Sequence, residues 1–191
     1  ILPDEHFDAC NARYVADPSA PFPMLYVSFP SAKDPDFQRR LPGRATVQVS
    51  TTGYWEWFEP WAATRRGQRG AGYEAFKART AARMLEALLQ RLPQLRGHVR
   101  HAELSTPLSA EWFCGHPRGS VYGIAGTPSR YRVPLRAQTP VEGLFLTGAD
   151  LATSGVVGSA FAGALCAAAV LGPGRLWDWL PLASTLGRPV A

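Results

Sequence analysis

Three residues that could do chemistry, Thr147, Gly148 and Asp150, stand between an apolar run, Leu144-Phe-Leu146, and a run of small residues, Gly155-Val-Val-Gly-Ser-Ala-Phe-Ala-Gly163. An apolar run that stops at Thr-Gly, then an acid, then an uncharged Ala- and Gly-rich stretch reads as strand, tight turn and helix. That order builds an anion-binding corner. N–H groups at a helix start point at whatever sits there, glycine lets a ligand approach the backbone, and a carboxylate offers acceptors to sugar-like hydroxyls. A large nucleotide cofactor fits this description. A second constellation is the dense aromatic run Tyr54-Trp-Glu-Trp-Phe58 with Trp61. No nucleophile elbow, paired His/Asp arrangement or phosphate loop stands out, so no acid or base residue is assigned.

The segment Gly143-Leu-Phe-Leu-Thr-Gly-Ala-Asp150, with Gly155, Gly158 and Gly163, resembles the closing flavin-contacting motif of the FAD-dependent family that includes phytoene desaturase, carotenoid isomerase and retinol saturase. Further matches follow that family's order: Ser28-Phe-Pro-Ser-Ala-Lys-Asp-Pro35, Trp55-Glu-Trp57, Tyr73-Glu-Ala-Phe-Lys77, Ser105-Thr-Pro-Leu108 and Pro117-Arg-Gly-Ser-Val-Tyr-Gly123. They cover roughly residues 22–172. One departure is Ala149, where retinol-saturase-like members usually carry Gln.

The resemblance implies a cofactor, FAD, contacted by Gly148, Ala149, Asp150, Val156, Val157 and Gly158. In that reading Asp150 bonds a ribityl hydroxyl or the nearby cofactor chain, as its counterpart does. Backbone N–H groups around Val156 and Val157 face the pyrimidine edge, where charge accumulates on reduction. The plainer role for Asp150 is a helix N-cap or Asx turn. For an apolar isoprenoid, carotenoid or retinoid-like substrate, Tyr54, Trp55, Trp57 and Phe58 are the expected binding residues, because such a molecule offers little beyond apolar area. Their alternative role is packing under a sheet.

Flavoproteins of this kind hold the ADP half of FAD with a strand, a Gly-x-Gly-x-x-Gly turn and a helix. No such unit opens this chain, whose Ile1-Leu-Pro-Asp-Glu-His6 is neither a start methionine nor a secretory signal. Gly70-Ala-Gly-Tyr-Glu-Ala75 fits the formula, but the basic loop Thr64-Arg-Arg-Gly-Gln-Arg69 precedes it where a buried strand is required. It reads as a loop and helix start. The comparison therefore implies the C-terminal part of a larger FAD-dependent oxidoreductase, expected to hold no FAD tightly and to show no activity by itself.

The elements that must position these residues are an α/β set: a β-sheet portion of a substrate domain, then the last strand and helix of a Rossmann-like FAD domain. Residues 1–140 are assigned to the former, 141–172 to the latter, and 173–191 to a tail. A short helix is expected near residues 4–15, strands over 24–29 and 45–51, and an amphipathic helix over 73–92, broken near Pro93. Residues 99–104, 120–124 and 144–146 read as further strands, the last apolar on both faces as in a buried parallel sheet. An unpaired strand there predicts self-association, or cover from the chain's own residues 177–182.

With 46% apolar residues in 191, the chain can bury one good-sized core. Lys33 and Lys77 are its two lysines, so 18 of its 20 basic residues are arginines, spread along the chain rather than clustered. A net charge of +5 in that form does not call for a nucleic-acid partner. Stacking and phosphate contacts by Arg65, Arg66 and Arg69 beside the tryptophans would leave the 148–163 segment unexplained. Cys10, Cys114 and Cys166 lack any Cys-x-x-Cys spacing, and His98-Val-Arg-His101 lacks the Glu of a His-Glu-x-x-His site, so neither a metal nor a disulfide framework is signalled. A reducing cytoplasm is the default location, with peripheral membrane contact as a further expectation. Residues 151–174 carry no charge, but Ala, Gly, Ser and Val dominate them, which argues against a membrane span. The competing reading of the whole is a non-catalytic apolar-ligand or protein-interaction module without a nucleotide-binding half.

Overall fold

The computed structural model describes residues 6–172. It divides into two compact units, Ile1–Ser120 and Val121–Ala191. The expected boundary near residue 140 therefore falls inside the second unit, and the tail 173–191, with its expected strand-covering segment, lies outside the described residues.

In the first unit, helix α1 (Phe7–Ala16) precedes strands β1 (Tyr26–Ser28) and β2 (Gln48–Ser50). These pair antiparallel, with Val27 opposite Val49. The expected strands over 24–29 and 45–51 are thus present but short, and the one-turn helix α2 (Phe37–Arg40) lies in their connection. Two 3-10 turns carry the aromatic run, Trp55–Trp57 and Glu59–Trp61. The long helix α3 (Ala71–Arg91) buries Tyr73, Met84 and Leu88 along one stripe, as the 3.6-residue period requires. Pro93 stops it because proline lacks the N–H the next turn would need. Helix α4 (Pro107–Cys114) starts on a capping box, in which the Thr106 N–H donates to Ser109 Oγ.

The core of this unit is aromatic. Phe58, Tyr73 and Leu108 are buried together, with Trp55, Trp57, Trp61 and Phe76 packed around them. Ring pairs such as Phe58–Phe76 (5.4 Å) and Trp61–Tyr73 (5.6 Å) meet edge to face, the arrangement that ring quadrupoles favour. The Tyr73 hydroxyl lies 2.9 Å from Thr106 Oγ1, joining α3 to the start of α4. Arg83 of α3 donates to the carbonyls of Pro18 and Ala20 and stacks on Phe22, pinning the segment after α1.

The second unit contains helix α5 (Pro128–Arg132) and helix α6 (Gly155–Leu171). Three expected strands require correction. Residues 99–104 and 120–124 are not regular strands: Val99, Val121 and Ile124 are exposed, and Tyr122 and Gly123 both have left-handed backbone (φ 69° and 76°) that breaks an extended run. Residues 144–146 make a single antiparallel bridge, Phe145 with Gln138. Leu144 and Leu146 are about half exposed rather than buried, because a parallel strand is buried only when neighbouring strands flank it. No helix among the described residues is long and apolar enough to cross a membrane.

Candidate functional site

The corner after Thr147 is built as its residue types dictate. Gly148 has φ +98°, which side-chain-bearing residues rarely adopt, and nothing lies within 4 Å of where its Cβ would be. The backbone there is open to close approach. The Leu151 N–H donates back to the Gly148 carbonyl, closing the turn. Helix α6 begins at Gly155 with Ser154 as N-cap, and no side chain caps it, so its first N–H groups have no side-chain acceptor. Val156 and Val157 follow at 88% and 83% exposure, which leaves that end uncovered.

Asp150 does something other than cap the helix. Its Oδ1 accepts the Ile124 N–H at 2.7 Å, and its backbone carbonyl accepts from the Arg130 guanidinium. The N-cap expectation for Asp150 is thereby corrected: Ser154 occupies that position, and the Asp150 carboxylate is bonded to a segment 26 residues upstream. Together these segments line an open pocket of about 290 Å³, whose walls include Tyr122, Ile124, Tyr131, Ala149, Asp150 and Thr153. Gly148 directly precedes the lining residue Ala149 in the chain. Gly158 plays a different part, since a Cβ at this buried residue would overlap the Thr153 carbonyl. It lets residue 153 fold against the helix instead of presenting a surface. The donors, the open glycine and the acid suit an extended polyhydroxylated ligand carrying negative charge.

A separate cleft of about 350 Å³ lies within the first unit. Its apolar lining includes Val47, Val49, Trp57, Phe58, Phe76 and Met84, and its hydroxyls include those of Thr51 and Thr80. Of the four aromatic residues expected to bind substrate, Trp57 and Phe58 line it. Tyr54 and Trp55 do not: the Tyr54 hydroxyl donates to Asn11 Oδ1 (2.8 Å) and its ring packs on Trp57, while Trp55 packs against the core. Packing and lining are thus shared out within one run. The missed lining residues left a signal in the sequence, because alternation puts Val47 and Val49 on one face of β2 and its lead-in, and i, i+4 spacing puts Phe76, Thr80 and Met84 on one face of α3. Tyr14 also lines the cleft, and burial among rings pushes its hydroxyl above the usual tyrosine range, opposed by the Arg83 charge.

Among the described residues no group of His, Cys, Asp and Glu could hold a metal ion, and His98 and His101 lie outside any helix. Arg69 is buried, donating to the Trp61 and Thr64 carbonyls, and Arg66 stacks on Phe113. Arg69 thus serves the fold, while Arg66 and Phe113 meet at the surface.

No family model matches the chain, and no solved structure does. Curated proteins do. The chain is 37% identical over 176 residues to the human all-trans-retinol 13,14-reductase, covering 88% of this chain and 29% of that protein. The Macaca fascicularis protein of the same name is 35% identical over 179 residues, 90% of this chain and 29% of its own length. A third relative, from Danio rerio, is called an inactive all-trans-retinol 13,14-reductase and is 33% identical over 88% of this chain and 28% of its length. The chain thus spans less than a third of the length of these relatives.

Proposed function

The chain is homologous to a segment of the all-trans-retinol 13,14-reductases, and from that premise we propose that it forms the C-terminal part of an FAD-dependent oxidoreductase acting on a carbon–carbon double bond of a retinoid or related isoprenoid. The observation that carries the proposal is the corner itself: an open left-handed Gly148, the Asp150 carboxylate and an uncapped small-residue helix follow one another there. These residues fit a flavin nucleotide. Gly148 and Ala149 would let it approach the backbone, Asp150 would accept from a hydroxyl, and the N–H groups near Val156 and Val157 would meet its electron-rich edge. Bound there, FAD would supply the two-electron chemistry of the reaction.

In this reading residues 144–146 form the closing strand of a Rossmann-like sheet whose other strands come from the rest of the protein. The exposure of Leu144 and Leu146 supports it, since such side chains are covered when neighbours are added. The cleft of the first unit would take the apolar body of the substrate against Trp57, Phe58, Phe76 and Met84. A retinoid buries almost entirely apolar area, so shape and aromatic contact govern its binding.

The test is a flavin spectrum and a retinoid titration on the full natural protein. Stoichiometric FAD, with retinoid binding lost on Thr80→Trp while flavin content is kept, is the expected outcome. Thr80 lines the cleft from α3, so a tryptophan there fills the space a ligand would occupy. A flavin-free protein that still binds retinoid would favour a non-catalytic apolar-ligand module, a reading with its own support in the relative named as inactive.

A further inference from the structure

Asp150 has the acceptor chemistry of a ligand contact, yet its Oδ1 is already taken by the Ile124 N–H at 2.7 Å. The surroundings are arranged around that bond. Gly123 has φ +76°, and a Cβ built on it would overlap Oδ1 and crowd the rest of the carboxylate. Glycine at 123 is therefore what lets the acid come this close. Tyr122, immediately before, is one of two non-glycine residues with positive φ among the described residues, at 69°. A side-chain-bearing residue stays in that region only where its surroundings hold it there. On the opposite side the Arg130 guanidinium donates to the Asp150 carbonyl, so residues 122–124 and 130 are both tied to one residue of the turn. All of them line the same pocket.

We infer that Asp150 is a positioning residue for the facing wall of the cofactor corner: through Oδ1 it holds Ile124 and, before it, the left-handed pair Tyr122–Gly123, with Gly123 as the enabling position. Oδ2 is then the oxygen outside that bond. This rests on the reading of the corner as a cofactor site, and it adds that the acid shapes the site even before the cofactor arrives. A carboxylate that only contacted ligand could be removed without changing the exchange of the Ile124 amide in flavin-free protein. One that fixes the wall could not.

Three variants of the full natural protein separate these roles. Asp150→Asn keeps an oxygen that can accept from Ile124, Asp150→Ala removes it, and Gly123→Ala leaves the acid intact while displacing it. In flavin-free protein, hydrogen exchange at the Ile124 amide should stay protected in Asp150→Asn and become faster in the other two. In FAD titrations, Gly123→Ala should lose about tenfold or more in affinity, the scale of a hydrogen bond to a charged group, despite its unaltered carboxylate. Unchanged Ile124 exchange in Asp150→Ala would overturn the inference, and so would wild-type FAD affinity in Gly123→Ala. Failure of the cofactor reading itself looks different, namely wild-type protein that binds no FAD while the exchange pattern still follows the three variants. Should Gly123→Ala fail to fold, the contrast between Asp150→Asn and Asp150→Ala in Ile124 exchange decides alone.

Discussion

Replacing Gly158 with alanine puts a methyl group where the Thr153 carbonyl already sits. Real Cβ atoms essentially never approach a neighbour closer than 3.0 Å, and at Gly158 the built position falls well inside that limit against backbone. Backbone cannot rotate away as a flexible side chain can, so α6 or residue 153 must shift, at a cost of about 1 to 3 kcal/mol. Against this stands the gain of alanine over glycine inside a helix, about 0.5 to 1 kcal/mol. The net expectation is a loss of up to about 2.5 kcal/mol. Gly163 is the internal control, because it lies in the same helix with nothing within 4 Å of its Cβ position. Gly163→Ala should keep the propensity gain alone, and so stabilise by about 0.5 to 1 kcal/mol. At about 2 to 4 °C per kcal/mol for a chain of this size, the two variants should move Tm in opposite directions by several degrees in total. Thermal and denaturant melts of both variants beside the wild type measure this. If both substitutions shift stability the same way, the close approach of residue 153 to α6 is not what Gly158 is for.

Tyr14 should make the protein sensitive to alkali. Its pKa is raised by burial above 10.0, so its contribution to stability is complete below about pH 10 and is lost as pH rises through the folded value. Tyr14→Phe should flatten that alkaline limb in denaturant melts run between pH 9 and 12, and an unchanged limb would remove Tyr14 as its cause. Arg83→Lys should destabilise by about 1 to 3 kcal/mol, since a lysine cannot hold the Pro18 and Ala20 carbonyls together while lying flat on Phe22. Urea unfolding reads this directly, and a loss below a few tenths of a kcal/mol would mean these contacts do not matter.

Features governed by local backbone geometry were legible in the sequence. The period of Tyr73, Phe76, Met84 and Leu88 located α3, and Pro93 marked its end, because helix hydrogen bonds join residues four apart and every term is near in the chain. The alternation of residues 46–50 located β2 for the same reason. The order of apolar run, Thr147-Gly148, acid and small-residue helix announced the corner, since a turn with positive φ and an uncapped helix start are local properties.

Only the tertiary structure decided which segments meet. A strand exists where another edge pairs with it, so the stretches at 99–104 and 120–124 could not be told from real strands by pattern, and 144–146 is reduced to one bridge. The bond between Asp150 and Ile124 joins residues 26 apart, and the cleft gathers residues 14, 18, 47–53, 57, 58, 76, 80, 84 and 103–107. No periodicity carries such encounters, because they depend on packing and loop closure over the whole chain. The sharing of the aromatic run followed the same logic: its composition announced apolar contact, but only packing determined that Trp57 and Phe58 line a cleft while Tyr54 turns to Asn11.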